Sequence, residues 1–405
     1  MNFMYQRLMR NFISPLEVFE VVKEFIKEEE EVTKYRHQYM DIYQWPTYLE
    51  ETISEISLGL NFDDDTQWNE NTYFIHWEGC YRDSETADYF SITGQSFKIV
   101  CQKVCILFEE FNIKNNDIVC MFSPPVLQLP IVMSAAISRG IVFAPMSPES
   151  FNDKIELINY LKNIPILPKA IITVDTFFDG KKWVNCKDIL DDVINSLSEY
   201  KSVKIFVIRH GGPHPGVPPP SYQNEGRRPN YKLQINMIHN KDYKWGKLME
   251  KIKIPLTDNN NNYIIKKSID NILYIDSKFI NTLQFNILIS LTKKLFTNGC
   301  SKNRLHFIVS PSDSLFFVVQ LHTLIKMRMT FLITECLTDS LSNNLKRINE
   351  IFVDYNPSTV SLHENIILDK GDKEIFKLIN SIQKIFVTGN TQPLDGIPVN
   401  NIIYS

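Results

Sequence analysis

The chain has 405 residues, 44% hydrophobic and 22% charged, which is enough apolar material for two or three packed domains and excludes a disordered polymer. Its 43 basic and 47 acidic side chains leave a formal charge of −4, so no global field draws nucleic acid or an anionic membrane. Seven scattered cysteines without a CxxC pair argue against a disulfide framework or a zinc ribbon and for reduced thiols in a cytoplasmic setting.

No apolar run reaches the roughly 20 residues that a membrane span needs. Residues 1–14 carry Arg7 and Arg10, lack acids and include Phe3, Leu8 and Phe12; they read as a helical start, with a mitochondrial presequence as the alternative. Helical spacing continues through Leu16, Phe19, Val22, Phe25 and Ile26, beside the solvated run Glu28 to Glu31. Pro46 ends it, and the stretch to residue 70, with Asp63, Asp64 and Asp65, is an acidic connector. Residues 1–70 are therefore a helical extension and connector.

Alternation starts at residue 71. Strands are predicted at 74–77, 118–122, 141–146, 170–174 and 203–208, with helices at 96–111, 127–139, from 147 through 161, and at 188–200. Gly140 stops the second of these helices, and Ser147-Pro148 starts the third with a cap and a proline at its first position. Cys101 and Cys105, four apart on a helix, could face a metal, but core packing is the plainer role. Crossovers of this length pair strands in parallel, so 71–210 is a doubly wound α/β subdomain.

Residues 211–268 interrupt it with a Pro-rich run from 213 to 220 and the Asn tract 259–262, an insertion and linker. His210 and His214 stand there without a third convergent metal ligand. From 269 to 405 strands return at 271–275, 305–309, 330–334, near 359–361 and at 384–388, with helices at 279–296, 315–327, 341–353 and 373–380. This is a second α/β subdomain.

No GxGxxG, GxxxxGK[ST], HExxH or GxSxG motif occurs. At 272–284 an apolar run feeds a helical pattern, where α/β proteins often grip a phosphate through glycine-opened backbone. Between Gly246 and Gly299 there is no glycine.

Several short segments resemble the AMP-forming acyl-CoA synthetases, and acetyl-CoA synthetases within them. Asn71 to Glu78 is similar to that family's WEG strand, Ile92-Thr93 with Phe97 to its TY-x-x-L start, and 111–119 to its G-x-x-K-G-D-R-V turn. Residues 127–142 resemble PE-x-x-x-x-ML-A-x-x-R-x-G-A, and Val142-Phe143-Ala144 with Ser147 to Ser150 resemble VFAGFS-x-E-x-L. Residues 171–181 resemble LIT-x-D-x-x-YRG-x-K, and Trp245, Leu248 and Met249 match WW-x-x-LM.

The resemblance implies the N-terminal domain of the adenylate-forming fold, built from two mostly parallel α/β subdomains. ATP or AMP and CoA would be its cofactors, and acetate activation to acetyl-CoA its reaction. It also implies losses. The nucleotide loop YTSGSTGKPKG falls on Tyr274 to Gln284 and keeps only Tyr274, with Phe279, Ile280 and Leu283 suited to a buried helix face instead. The arginine of YRG is Asp179, and the adenine-contacting GEP corresponds to Thr391-Gln392-Pro393. The WQTE motif, the ribose-binding aspartate and the mobile C-terminal domain with its lysine fall beyond Ser405, so the second subdomain reads as incomplete and the C-terminal domain as missing. Asp276, Ser277, Thr391, Gln392 and Pro393 are the degenerate nucleotide-site equivalents, with no catalytic or metal residue assigned.

Three readings follow: a pseudoenzyme of this family; an acetate–CoA ligase working as a fragment or with a partner; and a protein-interaction module. A surviving site for a nucleotide or short acyl ligand should lie at the carboxyl ends of the second subdomain's strands, where Asp276, Ser277, Ser310 and Thr388 are polar. Each of these four also suits a plain cap or turn.

Overall fold

The computed structural model of this protein describes residues 73–79, 88–151, 153–178, 183–211, 235–254, 271–275, 277–297, 305–335, 351, 353–363, 384–388 and 402–404. The expected N-terminal extension, the helix at 373–380, His214, Asp276 and residues 391–393 lie outside them. Of the helix expected at 341–353, only residues 351 and 353 are described, and both are helical.

The chain opens with strands β1 (Tyr73–Gly79) and β2 (Asp88–Thr93) and helix α1 (Gly94–Glu110). It continues through β3 (Ile118–Phe122), α2 (Gln128–Ser138), β4 (Val142–Met146), α3 (Lys154–Asn163) and β5 (Ala170–Val174). A small hairpin, β6 (Phe177–Phe178) with β7 (Trp183–Val184), precedes α4 (Cys186–Asn195) and β8 (Lys204–Ile208). Then come β9 (Asp242–Lys244), α5 (Trp245–Lys251), β10 (Asn271–Ile275), β11 (Lys278–Asn281) and α6 (Thr282–Thr297). The described part closes with β12 (His306–Val309), α7 (Leu315–Met327), β13 (Phe331–Thr334), β14 (Thr359–His363), β15 (Lys384–Thr388) and β16 (Ile402–Tyr404).

Local chemistry explains the helices. Thr93 caps α1, its hydroxyl accepting from Ser96 N at 3.2 Å, and Phe97, Cys101, Val104, Cys105 and Phe108 make one buried stripe at helical spacing. The thiols of Cys101 and Cys105 donate to the carbonyls of Ile131 and Ala135 at 3.7 and 3.9 Å, so they fasten α1 to α2. Burial pushes both thiols up, Cys105 to about 11, the behaviour of inert core cysteines. Helix α2 is buried over 10 of its 11 residues and α7 from Phe316 to Ile325. A helix that is apolar all round belongs in the interior, and these two touch where the helical layers of the two sheets meet. Gly140 ends α2 with φ +66°, and a Cβ there would run into the Asn115 side chain.

Two seven-stranded sheets form, in the orders β11-β10-β4-β3-β5-β8-β9 and β16-β15-β14-β12-β13-β1-β2. In the first, β10/β4, β4/β3, β3/β5, β5/β8 and β8/β9 are parallel and only β10/β11 is antiparallel. In the second, only β1/β2 is antiparallel. The protein is thus α/β with two mostly parallel sheets. In each, the chain leaves a central strand (β3, β12) to one side and returns on the other, a doubly wound order with a switch point beside that strand.

Sheet membership crosses the boundary drawn at the insertion. β1 and β2 come from the first sequence half yet pair with β13 in the second sheet, and β10 and β11 come from the second half yet extend β4 in the first. Each transferred pair is an antiparallel hairpin-like edge whose parallel partner lies more than a hundred residues away, a pairing that local periodicity does not encode.

One correction concerns 279–281. The helix expected from 279 begins at Thr282, and Phe279 and Ile280 stand instead on β11, antiparallel to β10. Tyr274 faces Phe279 across the ladder with ring centroids 5.1 Å apart, and Ser277 takes φ 59° at the turn. Four residues are too few for a periodicity of 2 to stand out against the helix that follows.

Candidate functional site

The carboxyl ends of the parallel strands of both sheets meet along one seam. In the first sheet Phe122 pairs with Met146 and with Thr173, and Val174 pairs with Ile208. Ser123, Ser147, Asp175 and, two residues past β8, His210 therefore leave the sheet side by side. In the second sheet Thr334 pairs with Glu78, and Glu335 N donates to Glu78 O at 3.3 Å. Among the described residues three hydrogen bonds join the two edges. Ser312 Oγ donates to Ser123 O at 2.7 Å, Trp77 Nε1 donates to Pro125 O at 3.0 Å, and His210 Nε2 donates to Glu335 Oε1.

Asp175 organises the first edge. Its Oδ1 accepts from the backbone N–H groups of Thr176 (2.7 Å), His210 (2.8 Å) and Gly211 (2.9 Å), tying the loop after β8 to the end of β5. Trp77 lies edge-on to His210, with centroids 5.3 Å apart. Gly79 lets this ring and Glu335 approach, since a Cβ at Gly79 would meet the indole and sit 2.7 Å from the Glu335 carboxyl carbon. Gly79→Ala is expected to destabilise the protein by about 1–3 kcal/mol, read from the urea midpoint, because neither neighbour can move without breaking a seam contact.

The seam is polar and buried. Glu78, Asp175 and Glu335 are all at most 2% exposed. The hydroxyls of Ser123, Ser147, Ser310 and Thr334 and Asp175 Oδ2 are buried without a hydrogen-bond partner. Burial, and after it the charges of Asp175, Glu335 and Glu149, push the Cys186 thiol well up. Among the described residues no group of three or more His, Cys, Asp or Glu side chains is placed to hold a metal ion.

The positions expected from the sequence are dispersed. Ser310 lies at the seam, buried just beyond β12. Thr388 ends β15. Ser277 is exposed at the turn of the edge hairpin. Burial raises the neighbouring Tyr274 phenol, a hydrogen bond from Ser277 opposes the shift, and the phenol donates to Asn163 O at 2.9 Å. Ile275 pairs with Lys278, so only residues 276 and 277 join β10 to β11. In the sequence His210 stands out only as a metal-ligand candidate and Asp175 only as part of a family-like segment, and Glu335 does not stand out. The signal for Asp175 and Glu335 is that each is the first charged residue after a fully buried strand at a sheet's carboxyl edge.

No protein-family model matches the chain. Among curated proteins it is similar to the acetyl-coenzyme A synthetase of Pyrobaculum arsenaticum, 24% identical over 192 residues, which covers 46% of this chain and 24% of that protein. It is also similar to the chloroplastic/glyoxysomal acetyl-coenzyme A synthetase of Arabidopsis thaliana, at 29% over 132 residues (31% and 16%), and to the Drosophila melanogaster enzyme, at 27% over 144 residues (33% and 19%). The matched segments thus span a quarter or less of these relatives. Among solved structures, the luciferase-like enzyme of the nonluminescent mealworm Zophobas morio superposes with a TM-score of 0.57 at 13% identity, covering 85% of this chain and 68% of that one. Coronafacic acid ligase from Pectobacterium brasiliense gives 0.51 at 11% identity, covering 79% and 53%.

Proposed function

We propose that this chain, related in sequence to the acetyl-CoA synthetases and folded like the N-terminal part of adenylate-forming enzymes, does not carry out ATP-dependent adenylation. The observation that carries the reading is the hairpin at β10–β11. The family places its glycine-rich nucleotide loop between these positions, whereas here Ile275 is already paired with Lys278 across a two-residue connection. A phosphate cradle needs several backbone N–H groups free to converge, and a tight hairpin commits the flanking ones to its own ladder. One lost oxyanion-type donor lowers a rate by about 10²–10³, so loss of the whole cradle leaves little.

The fold persists as a scaffold for a small polar or short acyl ligand at the seam, or for a protein partner. The test is pyrophosphate–ATP exchange with acetate. The expected exchange lies at least about 10³-fold below that of an active acetate–CoA ligase at equal concentration. Robust exchange at ordinary substrate levels would overturn the proposal in favour of an active ligase. Grafting the family's glycine-rich loop onto residues 275–284 is expected to bring back ATP binding, read by calorimetry.

A further inference from the structure

We propose that the His210–Glu335 contact is a latch that holds the carboxyl edges of the two sheets together, and that releasing it opens the seam to solvent as far as Cys186.

The latch joins elements that nothing local would keep together. His210 follows β8 in the first sheet and Glu335 follows β13 in the second, 125 residues on. Both side chains are buried, at 7% and 2% exposure, so the hydrogen bond works in a low dielectric where it is stronger than in water. His210 is not free to rotate away. Its backbone N–H is held by Asp175, and its ring is braced by Trp77. The opposite side is equally fixed, because Glu335 N donates to Glu78 O.

Behind the latch the interior is poorly satisfied. Asp175 Oδ2 and the hydroxyls of Ser123, Ser147, Ser310 and Thr334 find no partner, so water gains hydrogen bonds on entering and the closed state relies on its clasps. Besides the latch these are the Ser312–Ser123 and Trp77–Pro125 hydrogen bonds, each with a backbone carbonyl as acceptor. Cys186 is the built-in reporter. It opens α4, is fully buried, and is held at the seam because the next residue, Lys187, donates its backbone N–H to Asp175 O at 3.2 Å. Cys101, Cys105 and Cys120 are equally buried but sit in the helix and strand core.

The experiment is pulsed N-ethylmaleimide labelling of the full chain in native buffer, mapped by peptide mass spectrometry, on wild type, His210→Gln and Glu335→Gln. Both variants are expected to label Cys186 at least about tenfold faster than wild type, with Cys101, Cys105 and Cys120 unchanged. His210→Gln is the decisive arm. It leaves the Glu335 carboxylate in place, so the thiolate fraction at Cys186 cannot rise through loss of that charge, and faster labelling must come from access. Unchanged labelling of Cys186, acceleration in Glu335→Gln alone, or an equal rise at all four thiols would each overturn the latch. The outcome does not depend on whether the protein adenylates anything.

Discussion

Lys187→Met lowers the folding stability by about 3–5 kcal/mol, read as a shift of the urea midpoint at pH 7. Lys187 is 1% exposed in the first turn of α4 and sits between two carboxylates, 2.5 Å from Asp191 Oδ2 and 3.0 Å from Asp242 Oδ2, the latter wholly buried. Its third partner is the carbonyl of Asn236 at 3.3 Å. Asp242 begins β9 and also accepts from Ile238 N at 2.8 Å, so this one ammonium ties α4 to the segment returning after the insertion. Methionine keeps most of the volume and removes the charge, leaving two aspartates facing each other out of water. Burial already raises Asp191, and the Lys187 hydrogen bond and charge are what oppose it. Without Lys187 the Asp191 carboxyl is held higher still, so the deficit shrinks as the buffer is made acidic enough to protonate it. Asp242→Asn in the Lys187→Met background is expected to recover part of the loss. A Lys187→Met deficit under about 1 kcal/mol, unchanged by pH, would show that the triad contributes nothing to the fold.

Acid weakens the second sheet through His306. This side chain is fully buried on β12, with Nδ1 2.5 Å from Thr359 Oγ1, Nε2 2.9 Å from Ser361 Oγ, and the Phe296 ring edge-on at 4.8 Å. Gln320 donates to the same Ser361 hydroxyl at 2.8 Å, so β12, β14 and α7 share one polar network inside the core. Burial lowers the imidazole from 6.5 to about 3. The folded state therefore stays neutral at His306 while the unfolded chain takes up a proton near pH 6.5. The unfolded state binds more protons between the two values, so stability from this group is complete above pH 6.5 and is lost as pH falls towards 3. The slope approaches about 1.4 kcal/mol per pH unit, for a loss of about 2.3 kcal/mol between pH 6.5 and 4.5. Urea midpoints of wild type and His306→Gln across this range isolate the effect from other carboxylates. Parallel pH curves for the two proteins would assign the acid sensitivity elsewhere.

Much of the fold is legible along the chain because its elements are locally consistent. Thr93 with Phe97, Cys101, Val104, Cys105 and Phe108 specifies α1, and the charge-free run Leu129 to Ser138 specifies a helix with nowhere to go but inside. The five-residue strands at 118–122 and 170–174 are apolar on both faces, as a parallel sheet covered by helices requires. The resemblance to acetyl-CoA synthetases rests on residues of this kind, the similarity to those proteins agrees with it, and the superposition on a luciferase-like enzyme agrees with the expected fold. The seam was not legible. Asp175, His210 and Glu335 are ordinary turn residues in sequence, and nothing within a few positions of any of them names the others.

By itself, then, the amino-acid order determined the alternation of strands and helices, their interior faces, and the lack of glycine between 247 and 298 where a phosphate would be gripped. Those properties depend on spacings of two to four residues, the range over which a backbone imposes its own period. Only the tertiary structure decided that β1 and β2 join the late strands, that β10 turns back as a hairpin, and that a histidine and a glutamate 125 residues apart close the seam. Pairing and burial compare segments far apart in the chain, and the partner each strand edge or charge finds is set by which packing leaves the fewest polar groups unmatched.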